Sequence, residues 1–398
     1  MMNQFITIFK KELKDILRDR RTIIMMIIVP MVITPMLIVG ILKISRMQLE
    51  KAQAKEIRVV FLGKENAPQL YQIFEEGEKI VLIDNFPEDS ITHSLSSEEI
   101  DGAVIVHSDF PANIESDRQG KVEVYFKSSE AYGSAIKRMT DLIESYDEQI
   151  VKERIERLSL DKDLFDAVTI IEMDVSSVQE RIGKIAGGYL PYMFILFSFM
   201  GTMYPGIDLG AGEKERGTLE TLLSSPANRL QIVLGKLGVI SLSGIISALI
   251  AILGIYVAIQ MIEDIPADIL EVILNMLGFR IIIMILTLII PIAIFFAAMI
   301  LSISIYAKSF KEAQSIIGPA NMIIIIPVII GLLPGIELDA KTALIPILNV
   351  SLACKDLLAG TINPFHLVEV YLSLFLLAGI AVWGCVKWFN REETLFRT

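Results

Sequence analysis

The chain has 398 residues, 53% of them hydrophobic, with a mean hydropathy of +0.57. These values exclude an ordinary water-soluble globular protein and indicate an integral membrane protein. The net charge of −11 lies in residues 43–185, which contain 18 basic and 29 acidic residues. An acidic segment without a basic patch predicts a solvated domain and argues against nucleic acid as a partner.

Residues 1–21 predict an amphipathic helix that lies flat on the membrane surface. Its apolar stripe is Phe5, Phe9, Leu13 and Ile16 or Leu17, and four basic residues lie beside the stripe: Lys10, Lys11, Lys14 and Arg18. Residues 22–45 follow as a first membrane-spanning helix, which Pro30 and Pro35 are expected to kink. The apolar run is too long for a signal peptide and lacks a cleavage-site pattern, so we expect a retained anchor.

Residues 46–184 have the composition of a water-soluble domain inserted after the first span. Short apolar runs predict strands, and a longer run of apolar residues at helical spacing predicts a helix. The predicted strands are Ile57–Leu62, Ile80–Ile83, Ala103–Val106, Val122–Phe126 and Val168–Met173, and the helix covers Ser129–Leu158. The predicted domain is a compact α/β fold.

Residues 185–398 contain five further apolar runs long enough to span a membrane. They are Ile185–Ile207, Leu230–Ile259, Phe279–Tyr306, Ile316–Ile336 and Phe365–Phe389. The predicted fold class is therefore an α-helical integral membrane protein with six transmembrane helices and an inserted extracytoplasmic α/β domain. The orientation follows from Lys and Arg: 14 fall in segments assigned to the cytoplasm and two in the short outer loops, which places both termini inside.

A charged segment interrupts the apolar runs at residues 208–226, which read D-L-G-A-G-E-K-E-R-G-T-L-E-T-L-L-S-S-P. Helical spacing predicts one face with Leu219, Leu222 and Leu223, and a second face with Glu213, Arg216 and Glu220. Pro226 is expected to end the helix. The mixed charges suit docking of a water-soluble partner, and an ordinary charged loop is the alternative.

The run Ile345–Gly360 is too polar, and too broken by Pro346, to span a membrane. It predicts either a short hairpin dipping into the outer leaflet or an interfacial loop, with Asn349, Lys355 and Asp356 as its polar members. Such a hairpin requires cover from protein or water.

Polar residues within the spans are the candidates for a transport path. Ionisable side chains lie near span ends, at Asp208, Arg280, Glu337, Asp339 and Glu369. Gly318 and Pro319 are expected to break the fifth span beside Asn321, as at many substrate sites. The path candidates are Ser243, Thr287, Asn321, Asn349 and Glu369. Helix packing for Ser and Thr, and anchoring of helix ends for the charged groups, are the alternatives.

The sequence contains no motif for chemistry of its own. No G-x-x-x-x-G-K-[ST], H-E-x-x-H or G-x-S-x-G run occurs, and Cys354 and Cys385 are too far apart for a C-x-x-C pair. We therefore predict no catalytic, metal or cofactor site in this chain.

Two segments resemble those of the permease subunits of bacterial ABC type-2 exporters. Residues Glu213–Pro226 match the E-K-E-R-G-T-L-E-x-L-L-x-x-P run of that family's cytoplasmic coupling helix, and Ile345–Gly360 resembles its P-x-L-N and D-L-L-x-G re-entrant hairpin. The basic N-terminus K-K-E-L-K-D-I-L-R-D-R-R and the large domain after the first span make the chain most similar to the NatB-like sodium-efflux permeases.

The resemblance implies a permease in the bacterial plasma membrane that pairs with a second copy of itself and with two copies of a cytoplasmic ABC ATPase subunit. ATP and Mg would be bound by that ATPase. The coupling helix, residues 208–226, would touch it through Glu213, Glu215, Arg216, Gly217, Thr218, Leu219, Glu220, Leu222, Leu223 and Pro226. The implied activity is sodium efflux, and export of drugs or antimicrobial peptides is the alternative.

Two functions of other classes remain as rivals. A membrane-anchored sensor could bind a ligand with the outer domain, although one span would suffice for it. An intramembrane enzyme is disfavoured because the spans hold no paired acids, histidine cluster or metal-ligand spacing.

Overall fold

A computed structural model describes residues 2–127, 134–159, 176–262, 265–333 and 335–391. These residues form two compact units, one from Met1–Gly40 and Asp174–Thr398, the other from Ile41–Met173. The second unit is smaller than the predicted inserted domain, because residues 174–184 belong to the first unit and include the start of a long helix.

The second unit contains a four-stranded sheet in the order β2-β1-β3-β4. The strands are β1 (Ile57–Leu62), β2 (Ile80–Ile83), β3 (Gly102–Val106) and β4 (Val122–Tyr125). β1 pairs in parallel with β2 and β3, and β4 runs antiparallel to β3. The four corresponding sequence predictions are confirmed to within one residue at each end. The predicted strand Val168–Met173 lies outside the described residues.

Helices cover both faces of this sheet. On one face Val59, Phe61 and Val104 pack against α4 (Pro68–Glu75) and α7 (Ser134–Leu158). On the other face alternate residues of β1 and β3 pack against α5 (Ile91–Ser96). Central strands buried on both faces are nearly all apolar, which is why β1 and β3 appear as continuous hydrophobic runs.

Asp101 fixes the start of β3 beside the start of β1. Its carboxylate accepts hydrogen bonds from the backbone N–H of Arg58 at 2.9 Å and from Lys55 Nζ at 2.5 Å. Burial alone would raise the pKa of this carboxyl, but the hydrogen bonds from Arg58 and Lys55 outweigh it and hold the pKa below its ordinary value.

The first unit is a helical bundle. Within the described residues, six of its helical stretches are long and apolar enough to span a membrane, which confirms the six predicted spans. They are Arg20–Gln48, Gly187–Glu215, Arg229–Gln260, Phe279–Tyr306, Phe310–Leu332 and Pro364–Phe389.

The bundle helices are numbered with those of the second unit, in chain order. They are α1 (Met2–Ile16), α2 (Arg20–Ile23), α3 (Val29–Ala54), α8 (Val178–Ile207), α9 (Glu213–Glu215), α10 (Thr218–Leu223), α11 (Arg229–Gln260), α12 (Ala267–Met276), α13 (Phe279–Tyr306), α14 (Phe310–Leu332), α15 (Leu348–Ala359) and α16 (Pro364–Phe389). The second unit also contains α6 (Phe110–Glu115). α8 lies at the centre of the bundle and packs against α11, α13 and α15.

The N-terminal amphipathic helix is shorter than predicted. α1 ends at Ile16, and α2 begins after Asp19, whose carboxylate accepts the N–H groups of Arg21 and Thr22. The predicted stripe is also shifted, because Ile8, Glu12 and Ile16 are the buried positions while Leu17 is exposed. A π-helical turn at Ile24–Ile28 precedes Pro30 and accommodates the missing N–H of that proline.

The fifth span differs from its prediction in where its helix begins and in whether the helix is broken. α14 begins at Phe310 rather than Ile316, because Ser309 accepts the N–H of Glu312 and Glu312 accepts the N–H of Lys308. Ser309 therefore caps the N-terminus of the helix, and Glu312 reaches back one residue further than in a capping box, where it would accept the N–H of the N-cap residue itself. The predicted break at Gly318 and Pro319 is wrong, since α14 continues through both residues.

The segment predicted as a hairpin forms one helix of 12 residues, α15, preceded by a 3₁₀ turn at Thr342–Leu344. α15 is buried against α8, α13 and α14. Asn349 in its first turn is buried and donates a hydrogen bond from Nδ2 to Ala343 O at 2.8 Å. The amide of Asn349 thus satisfies one backbone carbonyl of the turn before α15, whereas most residues from Gly335 to Pro346 are at least partly exposed.

Candidate functional site

The charged segment, residues 208–226, extends from the end of α8 as two short helices rather than one. A π-helical turn at Asp208–Gly212 leads into α9, and α10 follows after a break at Gly217. Gly217 has a φ of 70°, the left-handed conformation that glycine adopts at helix ends. The single charged face predicted for Glu213, Arg216 and Glu220 therefore does not form.

The first half of the segment, residues 208–216, is bound to the bundle. Arg216 donates two hydrogen bonds to the Asp208 carboxylate, at 2.8 and 3.3 Å. The hydrogen bond to Asp208 is the main reason why the pKa of Arg216 lies above its ordinary value. Ser304 Oγ on α13 accepts the N–H of Ala211 at 2.7 Å and donates to Ile207 O at 3.0 Å. These bonds hold the π-helical turn against α13.

Glu215 connects the segment to the fifth span. Its Oε2 atom accepts the backbone N–H of Phe310 at 3.0 Å. The first N–H groups of a helix have no partner within the helix, so a carboxylate at this position satisfies one of them and interacts favourably with the helix dipole. The contact places the start of α14 directly beside α9.

Glu213 is turned into the bundle, where it pairs with a lysine of the third span. Lys236 Nζ lies 2.6 Å from Glu213 Oε2 and 3.5 Å from Glu12 Oε1 of α1. It also donates a hydrogen bond to Leu209 O at 3.0 Å. All three side chains are buried. We refer to Glu12, Glu213 and Lys236 as the buried charge cluster.

Lys11 adds a second positive charge at the rim of this cluster. Its Nζ lies 3.2 Å from Glu12 Oε1 and 3.8 Å from Glu213 Oε1, and its side chain is half-exposed. Burial lowers the pKa of Lys11, but the charges of Glu12 and Glu213 outweigh it and leave the pKa above its ordinary value. Two carboxylates are thus balanced by two ammonium groups.

α1 reaches the cluster because it packs closely on α11. At Gly235, a β-carbon would lie 2.8 Å from Ile8 Cγ2, so only glycine allows this approach. The contact places Glu12, one turn after Ile8, over Lys236, one residue after Gly235.

The second half of the segment, residues 218–226, contacts the bundle through the buried Leu219 and the partly buried Leu222, and most of its other described side chains are exposed. Leu219 is buried in a core with Ile232, Leu237 and other residues of the same end of the bundle. Thr218, Glu220, Thr221 and Pro226 are exposed, Leu222 is half-buried, and the side chain of Leu223 lies outside the described residues. Within the described part of the chain, Glu220 makes no hydrogen bond or ion pair.

The five candidates for a transport path are spread over five helices. Ser243 Oγ donates to Val239 O of its own helix, Thr287 bonds to Tyr371, and Glu369 bonds to His366 at 2.8 Å. The amide oxygens of Asn321 and Asn349 are buried and have no hydrogen-bond partner among the described residues. No hydrogen bond in the described ranges joins any two of the five candidates.

A cavity of about 540 Å³ lies at the opposite end of the bundle from the charged segment. The titratable residues of its lining are Glu180, Lys184, Glu337, Lys355, Asp356 and His366. Lys184 pairs with Glu180 at 2.8 Å. Burial raises the pKa of Asp356 above its ordinary value, although Lys355 and Lys184 oppose the effect. Both lysines and the acids nearby give this cavity a mixed charge.

Sequence reasoning missed Lys236 and Glu12. Lys236 stands seven residues inside the apolar run of the third span, and Glu12 lies four residues from both Ile8 and Ile16. Two signals would have identified them. Lys236 is an isolated charge within a span, and Glu12 is a charge in line with the apolar face of a helix. Each such charge requires a buried partner of opposite sign.

Comparison with known proteins gives two matches. A family model described as "ABC-2 family transporter protein" matches residues 20–386. The ABC transporter permease protein NatB of Bacillus subtilis (strain 168) is 26% identical over 395 residues, which cover 96% of this chain and 98% of that protein. The residues that the family model matches include the charged segment, the first five spans, the sixth span up to residue 386, and the segment between the first two spans.

Proposed function

The chain belongs to the ABC-2 family of transporter proteins and is the membrane permease component of an ABC transporter, whose ATPase activity resides in a separate subunit. From this premise we propose that it is the permease of an exporter, and that the ATPase docks on residues 218–226. The observation that carries the proposal is the exposed Glu220, which has no hydrogen-bond or ion-pair partner among the described residues and lies beside the buried Leu219.

Residues 218–226 are more available to a partner than residues 208–216. Glu213, Glu215 and Arg216 already have partners in this chain, at 2.6, 3.0 and 2.8 Å. α10 is fixed by Leu219 and presents Glu220, Thr221 and part of Leu222 to the surroundings. A short helix anchored on one side and polar on the other can transmit a push from a water-soluble subunit to the bundle.

Orientation and stoichiometry form part of the same proposal. Both termini and the charged segment face the cytoplasm, as the excess of Lys and Arg in those segments requires, and residues 46–184 lie outside. Each chain carries one docking helix, so two ATPase subunits require two copies of the permease. A homodimer with two ATPase subunits in the plasma membrane is therefore the proposed assembly.

Docking is tested with Glu220→Ala and Leu222→Ala in the complex reconstituted into liposomes. We expect weaker binding of the ATPase and a lower rate of transport-linked ATP turnover. Glu271→Ala is the matched control, because Glu271 is exposed on α12 at the opposite end of the bundle. Unchanged binding and turnover in both variants would show that the ATPase docks elsewhere.

Sodium is the proposed substrate, on the strength of the resemblance to sodium-efflux permeases. The experiment is radioactive Na⁺ transport in vesicles that contain this chain and its ATPase, with ATP compared with a non-hydrolysable analogue. ATP-dependent Na⁺ movement supports the proposal. Absence of Na⁺ movement, with ATP turnover stimulated instead by a drug or an antimicrobial peptide, would assign the alternative substrate class.

A further inference from the structure

The buried charge cluster joins three parts of the chain at a single atom. Lys236 Nζ contacts Glu12 of α1, Glu213 of α9 and the carbonyl oxygen of Leu209 in the π-helical turn. A lysine ammonium has three donor hydrogens. One of them is donated to Leu209 O at 3.0 Å, and the charge of the ammonium group pairs with Glu213 of α9 and Glu12 of α1, so a shift of either helix away from Lys236 weakens an ion pair.

Holding these helices together does not by itself require charge. Apolar residues of similar size often replace a buried ion pair with no loss of stability, whereas removal of one partner leaves an uncompensated charge. Ile8, Ile16 and Leu237 already provide an apolar contact between α1 and α11. The charges add resistance to relative movement of the helices. The ion pairs of Lys236 resist displacement of α9 relative to α1, whereas apolar packing alone permits the helices to slide past each other.

The cluster lies immediately before the proposed docking helix. Glu213 is five residues from Thr218, the first residue of α10, and Thr218 Oγ1 donates a hydrogen bond to Glu213 O at 3.2 Å. A displacement of α10 therefore reaches Glu213 through the backbone and through this bond. From Glu213 the connection continues to α11 through Lys236, and to α1 through Lys236 and Lys11.

We propose that Glu12, Glu213 and Lys236 form a joint that makes the N-terminal helix α1 move with the docking helix and the third span during the ATP cycle. Glu12 and Lys236 are then positioning residues for transport, and α1 is a transmitting element as well as a membrane-surface anchor. The inference rests on the proposed docking of the ATPase at residues 218–226.

Hydrogen exchange in the full permease–ATPase complex provides a test that needs no knowledge of the substrate. In the unmodified complex, a non-hydrolysable ATP analogue is expected to change exchange rates at least threefold both in residues 218–226 and in α1. The variant Lys236→Met/Glu12→Gln/Glu213→Gln removes all three charges of the cluster and leaves the half-exposed Lys11 with Asp15, at 3.7 Å, as its carboxylate partner. It should show the nucleotide response in residues 218–226 and lose it in α1.

Single substitutions separate transmission from folding. Lys236→Arg keeps the charge and should retain the α1 response. Lys14→Met, on the exposed side of α1, is the matched control for loss of a lysine charge and should also retain it. ATP hydrolysed per Na⁺ transported is the second measurement, and we expect it to rise at least tenfold in the triple variant.

The outcomes separate the two proposals. A complex in which the nucleotide changes nothing in residues 218–226 would overturn the docking proposal itself. A nucleotide response in residues 218–226 without one in α1, or an α1 response that persists in the triple variant, would overturn the joint and leave docking intact. If the cluster has a purely structural role, the α1 response should persist in the triple variant, because the neutral side chains would then hold the helices together as the charged ones do.

Discussion

Replacement of Gly217 by alanine tests whether the bend in the charged segment is required for docking. The left-handed conformation of Gly217 costs an L-residue with a side chain roughly 1–2 kcal/mol. A β-carbon added there would meet no atom within 4 Å, so the cost comes from the backbone alone. It corresponds to a factor of about 5–30 in the population of the bent state.

The assay is binding of the purified ATPase to the permease in detergent. We expect Gly217→Ala to raise the apparent Kd by up to this factor of about 5–30, since only the bent state presents α10 correctly. Gly217→Asn should have a smaller effect, because asparagine tolerates the left-handed region better than alanine. Gly318→Ala is the control: its β-carbon also meets nothing within 4 Å, but Gly318 lies in a regular part of α14. An unchanged Kd for Gly217→Ala, or equal effects of alanine and asparagine, would refute the reasoning.

Three further substitutions test individual contacts that stabilise the two units. Ser304→Val leaves the buried N–H of Ala211 without its acceptor, which should cost about 1–3 kcal/mol; an unchanged thermal midpoint would contradict this role. Gly235→Val forces a side chain into Ile8, so hydrogen exchange in α1 should accelerate, and an unaltered α1 would show that the close approach is dispensable. The pKa of Asp101 is lowered in the folded state, so its stabilising effect is present at neutral pH and is lost as the pH falls below about 4. Asp101→Asn should accordingly weaken protection of β1 and β3 at pH 7 and make little difference in acid; equal protection at pH 7 would contradict it.

The spans and the sheet were predictable because both follow from local composition. β1 and β3 are short apolar runs bounded by charged residues or glycine, and each span is an apolar run of the required length. Hydropathy failed at α14, where the helix begins six residues before the apolar run. The helix cap provided by Ser309 and Glu312 sets that start, and its signal is a pair of polar residues.

The position of the candidate site in the sequence was predictable, but the different roles of its two halves were not. Sequence spacing identified residues 208–226, yet it treated Glu213 and Glu220 as equivalent members of one face. The break at Gly217 separates them, and a left-handed glycine cannot be told from a helical one by spacing alone. Lys236 forms ion pairs with both Glu213 and Glu12, which are distant from it in sequence, so no local pattern contains these pairs.

Replacement by alanine should therefore have different effects at the two glutamates: loss of stability at Glu213 and loss of ATPase binding at Glu220. Glu213→Ala leaves Lys236 buried with Glu12 as its remaining close carboxylate, and loss of a buried partner typically costs about 3–5 kcal/mol. We expect a lower thermal midpoint and poor recovery of folded permease. Glu220→Ala removes an exposed carboxylate, so the midpoint should stay and ATPase binding should weaken. Matching losses of stability in both variants would show that the two halves of the segment act as one surface.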